Sequence, residues 1–534
     1  VSEFRVWAPS AARVQVVIGA AVRAMNRVAG GWWVTSDPAA GTGTDYSFLL
    51  DADETPLPDP RSAWQPAGVH GPSRLYDHAA FPWTDASWTG RTLPGSVVYE
   101  LHVGTFTPEG TFDAAVGKLD HLVSLGVDMV ELLPVNAFNG PHGWGYDGVC
   151  WFAPHEPYGG PDGLKRFVDA AHARGLGVVL DAVYNHFGPS GAYAPRFGPY
   201  LSEGANAWGR SMNLDGPDCG EVRRYIVDSA VQWLRDYHVD ALRLDAVHAL
   251  VDRSAVHLLE ELAVEVEALS THLGRPLTLI AESDRNDPRT VTPREAGGLA
   301  MDAQWDDDVH HALHALLTGE RQGYYDDFGS LECLAAVLTR AFWHAGTWST
   351  FRRRVHGRPV EATLVPGHRF VAFLQNHDQI GNRAAGDRLA ASLSPGLLRV
   401  GATLLFTAPF TPMLFMGEEW HARTPWQFFT SHPEPDLARA VAEGRRREFA
   451  EHGWPEGDVP DPQDPATFRR STLDWSTVDG QALDFHRRLI AVRRAVPDLS
   501  DPRLDRTHVF HGNGFVVVRR GGHRVVANLA DHPQ

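Results

Sequence analysis

The 534-residue sequence has little cysteine, almost no lysine and no long apolar run. Its cysteines, Cys150, Cys219 and Cys333, stand far apart and show no CxxC or zinc-ligand spacing, so neither a disulfide framework nor a metal knuckle follows. They read as reduced thiols of a cytoplasmic protein. No apolar stretch reaches the length that spans a bilayer. The opening VSEFRVWAPS lacks the charged-then-apolar order of a secretory signal, which also fits the cytoplasm. Lysine occurs only at Lys118 and Lys165, and the net charge is -18, which argues against a basic groove for nucleic acid. No GxGxxG or Walker-type loop follows any strand candidate, which removes the usual phosphate cradles.

What is present is an ordinary globular composition, 43% hydrophobic and 21% charged, in a chain long enough for more than one core. Residues 1–85 alternate short apolar runs with turns (FRVWAP, VQVVIG, GWWVTS, YSFLLD), the pattern of a small antiparallel β-sandwich, with a proline-rich loop around Pro56, Pro58 and Pro60. Trp7, Trp32, Trp33, Trp64 and Trp83 make a carbohydrate-binding face conceivable there, although packing is the commoner use of such rings. From Val97 the pattern becomes α/β. Strand candidates begin at VVYELHVGTF and continue at 129–135, 177–186, 241–246, 278–283, 301–305, 370–378 and 412–419. Eight such strands interleaved with helices predict a (β/α)8 TIM barrel over residues 86–500. Beyond it, residues 501–534 read as the start of a C-terminal antiparallel β-domain that looks unfinished.

Polar residues cluster at the C-terminal ends of these strands, where barrel enzymes place their chemistry. Hydrolysis of a glycosidic bond with retention needs a carboxylate nucleophile and a carboxylic acid about 5 Å apart. Asp245 ends ALRLDA and Glu282 ends the next strand, TLIAES, so adjacent parallel strands would bring both to one rim. Asp378 ends a strand further round. Arg243, two residues before Asp245, points to the same side and would keep the nucleophile ionised. Any one of these residues alone could merely cap a helix or pair with an arginine; four strand ends together are harder to explain so. A metal-dependent hydrolase using His186, Asp245 and His377 is a rival, but no HxH or HExxH element accompanies them.

The ordered segments DAVYNH (181–186), ALRLDAVHAL (241–250), LIAESD (279–284) and FLQNHD (373–378) resemble the four signature regions of the α-amylase superfamily. The resemblance implies Asp245 as nucleophile, Glu282 as general acid/base and Asp378 as transition-state stabiliser. It further implies that His186, Arg243 and His377 bind the sugar at the cleavage point, with Tyr146 of GWGYDG beneath it, Trp144 and Gln379 adjoining, and Asp181 and Asn185 as supports.

Four further segments resemble one family within it, the maltooligosyltrehalose trehalohydrolases: MDAQWDDDVHHALHALLTGE, YYDDFG, NHDQIGNRAAGDRL, and TPWQFFTSH followed by AVAEGRRREF. That family cleaves the α-1,4 bond next to a terminal trehalosyl unit, releasing trehalose and a maltooligosaccharide. It implies maltooligosyltrehalose as substrate and functional partnership with a maltooligosyltrehalose synthase. Trp305, Asp307 and Asp308 would wall the leaving-side pocket, and His248 would touch the leaving sugar; for Trp305 the alternative is a ring buried in the fold, and for His248 a surface residue. His310, His311 and His314 are explained by helix packing.

No cofactor or required metal is expected, although Asn185 resembles a calcium ligand of some relatives. A glycogen branching enzyme, sharing sandwich, barrel and the four regions, is the nearest alternative activity. A catalytically silent glucan-binding protein is the non-enzymatic one.

Overall fold

The computed structural model describes residues 2–206, 208–451 and 459–530. Its centre is a closed barrel of eight parallel strands: β1 (Val98–Leu101), β2 (Met129–Leu132), β3 (Gly177–Ala182), β4 (Ala241–Leu244), β5 (Thr278–Ala281), β6 (Ala303–Trp305), β7 (Phe370–Phe373) and β8 (Thr411–Phe415). Each strand pairs with the next, and β8 returns to β1 through Met413 opposite Val98. All eight sequence-predicted strands are present. Helices between and after them include α1 (Leu119–Leu125), α2 (Gly160–His172), α3 (Cys219–Asp236), α4 (Leu258–Leu273), α5 (Asp307–Thr318), α6 (Leu331–Arg340), α7 (His377–Gly381) and α8 (Pro395–Thr407), then, past β8, α9 (Pro435–Glu451) and α10 (Gly480–Ala495).

Strands buried on both faces need continuous apolar runs, and β7 and β8 supply them. Inside the barrel, Val98, Met129, Val179, Ala241, Ile280, Val371, Phe373 and Met413 form one core cluster. Burial of such side chains stabilises by about 1.5–3 kcal/mol each for the larger ones. Because strand side chains alternate with period two, the next inward positions after Val98, Met129, Val179 and Ala241 are Glu100, Glu131, Asp181 and Arg243, all buried. A polar layer therefore lies directly above the apolar one, under the rim.

The first residues form two antiparallel sheets, one including Ser2–Trp7 and Trp32–Asp37, the other including Val14–Ile18 and Asp45–Leu50. The early tryptophans pack rather than form an open face. Trp7, Trp32 and Trp33 are buried, the Trp64 indole donates to Glu156, and Trp83 stacks on His238 at 3.8 Å. At the other end, Thr507–Gly512, Phe515–Arg520 and His523–Asn528 make a three-stranded antiparallel sheet against α6. Cys150 and Cys333 are buried, Cys219 is half-buried, and all three are free thiols. No helix among the described residues is long and apolar enough to cross a membrane.

Candidate active site

Strand register places the two central carboxylates. Leu244 of β4 lies opposite Ala281 of β5, so the following residues, Asp245 and Glu282, emerge side by side. The Glu282 N–H donates to Leu244 O at 2.9 Å and the Val247 N–H to Glu282 O at 3.0 Å, extending the ladder past the strand ends. The turn after Asp245 is tight: Ala246 has φ 43°, ψ 49°, a left-handed conformation uncommon for a residue with Cβ. This turn aims the Ala246 N–H at Glu282 Oε2, 2.7 Å away.

Asp245 is held at both oxygens. Arg243 Nη1 donates to Oδ1 at 2.7 Å and Asn185 Nδ2 to Oδ2 at 2.7 Å. Arg243 also donates to both oxygens of Asp181 and has no exposed surface. Glu282 lacks such a bond to Arg243, whose Nη2 is 3.8 Å away. Its pKa is pushed up to about 8, chiefly by burial and further by Asp245, Asp307 and Asp378, with Arg243 pulling the other way. The two environments separate a bonded carboxylate from a protonated acid.

His377 and Asp378 open α7. Burial opposes charge on His377, but Asp378 and the Glu100 carboxylate outweigh it and raise its pKa to about 9. Its Nδ1 bonds Glu100 Oε1 at 2.5 Å and its Nε2 meets the Tyr146 hydroxyl at 2.7 Å. That hydroxyl donates onward to Asp181 at 2.6 Å, and the Tyr146 ring stacks on the His377 ring. His186 bonds Asn185 Oδ1, and burial lowers its pKa. Burial also lifts Asp181 to about 6 and Asp307 to about 7.

These groups surround a cleft of about 590 Å³. Of the sequence-predicted residues, Trp144, Tyr146, His186, Asp245, His248, Glu282, Trp305, Asp307, Asp378 and Gln379 line it, while Arg243 and His377 support it from within the protein. Gln379 Nε2 donates to Asp307 Oδ1 at 3.3 Å. Of the three expected walls, Asp307 and Trp305 line the cleft and Asp308 does not; Trp305 is 2% exposed, with the Arg243 guanidinium 4.3 Å from its ring centre, so it forms floor rather than open wall. Asp308 turns away to accept the Trp343 and His344 backbone N–H groups and the Asn286 amide, because it closes a buried loop.

His311 lines the cleft, whereas His310 bonds Leu374 O and the Tyr325 hydroxyl inside the fold. Sequence reasoning missed Trp208, Asp284, Phe351, Arg352, Asn382, Phe428 and Arg445, which also line it. Asp284, Asn382, Phe428 and Arg445 lie in segments that had stood out, LIAESD, NHDQIGNRAAGDRL, TPWQFFTSH and GRRREF, without being singled out as residues, whereas Trp208, Phe351 and Arg352 lie in long insertions that carry no periodic signal.

Asn185 does not suit a cation here, since its Oδ1 is taken by His186 and its amide by Asp245. No group of three or more His, Cys, Asp or Glu residues arranged to hold a metal occurs among the described residues.

The cleft walls come from several loops: Trp208 from the long insertion between β3 and β4, His248 and Asp284 from just past β4 and β5, Phe351 and Arg352 from the insertion between α6 and β7, Trp144 from the loop after β2, Asn382 from just past α7, and Phe428 and Arg445 from the segments after β8.

Comparison with known proteins agrees with this architecture. The model of the alpha amylase catalytic domain matches residues 77–197. Barrel and carboxylate set together define a glycosidase of the α-amylase superfamily. The malto-oligosyltrehalose trehalohydrolase of Arthrobacter ramosus is 58% identical over 99% of this chain and 93% of its own. That of Rhizobium sp. (strain M-11) is 56% identical over 99% and 91%. A solved Salmonella typhimurium protein named for the alpha amylases superposes with a TM-score of 0.92 at 40% identity, covering 99% of this chain and 91% of that one. This chain belongs to the malto-oligosyltrehalose trehalohydrolase family.

Proposed function

We propose that the chain hydrolyses maltooligosyltrehalose at the α-1,4 bond next to the terminal trehalosyl unit, with retention, releasing trehalose and a maltooligosaccharide. The observation that carries this reading is the juxtaposition of Asp245 and Glu282 on neighbouring strand ends, one bonded and one protonated, in a chain so alike over its whole length to relatives that bear that name.

Asp245 attacks the anomeric carbon of the glucose at the cleavage point while Glu282 gives its proton to the departing oxygen of trehalose. A covalent glucosyl–Asp245 intermediate forms. Glu282, now ionised, takes a proton from water, which attacks the same carbon and frees Asp245. Asp378 holds the hydroxyls of the distorted ring, His377 steadies Asp378 and Tyr146 from behind, and Tyr146 supports the face of the ring. The bent disaccharide occupies the part of the cleft beside Glu282, with His248 and Asp307, which line the cleft, among its contacts.

The substrate carries a glucan whose reducing end has been turned into an α,α-1,1 link, so an isomerising transglycosylase, a maltooligosyltrehalose synthase, supplies it. The cytoplasm is the compartment where such glucans and free thiols coexist.

Maltopentaosyl trehalose is the direct probe. The reading expects trehalose and maltopentaose as the products, with the α-anomer of the latter formed first. Branches appearing in amylose without any trehalose would establish the branching-enzyme reading instead, and no turnover of either glucan would leave the silent binding protein.

A further inference from the structure

The segment AVAEGRRREF forms the second half of α9, which follows β8 and runs beside the cleft. One of its arginines reaches the catalytic machinery. Arg445 Nη2 donates to Gly381 O, and Nη1 donates to Asn382 Oδ1 at 3.2 Å. Gly381 is the last residue of α7, the single-turn helix that opens with His377 and Asp378. Carbonyls at a helix end lack intrahelical partners, and here the guanidinium supplies one.

Arg445 is itself fixed. Its guanidinium lies 4.9 Å from the Phe428 ring centre and 4.5 Å from that of Phe449, and it donates to Glu448 at 3.1 Å. Its side chain is only 11% exposed. Trp144 closes on the same end of α7: a Cβ on Gly381 would lie 1.9 Å from that ring. Trp144 in turn stacks on Trp426 and donates to Gln427 O. The short helix is thus held by an indole after β2 and a guanidinium after β8. Within the cleft the carboxylate bonded to Arg445 is Glu448, and the charge of Asp378 acts on the guanidinium as well.

We infer that Arg445 is a positioning residue for Asp378: it anchors the end of α7 so that the carboxylate at the start of the helix keeps its place against the reacting ring. This rests on the role given to Asp378 above. A five-residue helix is too short to hold itself, and a misplacement of about 1 Å at a reacting group can cost on the order of 100-fold in rate.

The test compares R445M and R445K with the wild type, alone and in a D378N background, by trehalose release from maltotriosyl and maltopentaosyl trehalose. Met fits between the two phenylalanines without charge or donors; Lys keeps the charge but cannot fork to two acceptors. R445M is expected to lower kcat about 10- to 100-fold, the range for losing charged hydrogen bonds. KM should stay within about twofold, the factor should be the same for both glycone lengths, and R445K should recover part of it. In D378N, the same change should cost less than about threefold, because residues acting through one another are not additive.

A rise in KM that grows with glycone length at unchanged kcat, or a full multiplicative loss in D378N, overturns the proposal. Should R445M not fold, N382A removes one acceptor only and is expected to lose roughly threefold or more in kcat, again vanishing in D378N. If D378N turns over like the wild type, the role of Asp378 fails and this inference with it. If D378N is crippled while R445M is normal, only this inference fails.

Discussion

Replacing Glu282 by Gln should make the protein more stable and nearly inactive. The carboxyl has an ordinary value of 4.5 and is held at about 8 in the fold, by burial first and by Asp245, Asp307 and Asp378 after it. A folded-state pKa above the unfolded one means that the fold binds a proton the unfolded chain has already lost. For an acid this is a cost, absent below about pH 4.5, growing as pH rises toward 8 and level above it. At pH 7 the cost spans about 2.5 units, or roughly 3 kcal/mol. A neutral amide of the same shape keeps an acceptor for the Ala246 N–H and removes that cost. With about 2.1 cal/mol/K of unfolding entropy per residue, roughly 3 kcal/mol corresponds to a rise in Tm of about 3 °C.

Calorimetry from pH 4.5 to 8.5 on both proteins reads this directly: the gap should be near zero at the acid end and widen with pH. Activity should move oppositely, with kcat lower by a factor of at least about 10² to 10⁴ as the general acid is lost. The wild-type kcat/KM should fall on its basic side around pH 8. An E282Q protein less stable than wild type at pH 7, or a gap that ignores pH, would refute the argument that Glu282 is kept protonated at a cost in stability.

Two other outcomes follow from geometry. His172 of α2 sits under the barrel between Asp85, at 2.8 Å, and Asp240, at 2.9 Å, and these bonds raise its pKa although burial works against them. Its contribution is complete below the unfolded histidine value near 6.5 and fades as pH rises through the higher folded value. Urea unfolding should therefore show H172Q destabilised by about 2 kcal/mol or more at pH 6 and by less at pH 9; an equal loss at both would contradict a charged His172. Gly381→Ala drives a methyl into the Trp144 ring. It should reduce kcat by roughly 10-fold or more through α7 with little change in far-UV circular dichroism, and wild-type kinetics would show that α7 has more room than its contacts imply.

The barrel was legible because parallel strands buried on both faces must be written as apolar runs, and because their chemistry sits shortly past the run: Asp245 directly after ALRL, Glu282 directly after TLIA, and Asp378 five residues after the end of β7. The same logic failed for Asp308. It lies in the first turn of α5, which Asp306 caps, and it faces the Trp343 and His344 backbone and the Asn286 amide instead of the cleft. Those partners arrive from distant segments that the local sequence does not name.

Sequence alone determined the kind of bond attacked, since residue type and strand phase decide which carboxylates share a rim. Only the tertiary structure decided how far Glu282 and His377 are shifted, because burial and neighbouring charge from β1, α5, α7 and the end of β4 converge on them from positions up to about 280 residues apart. It also decided the outer walls of the cleft, where Trp208, Phe351 and Arg445 arrive from separate insertions. Their approach depends on how those loops pack against one another, a property that no single segment carries.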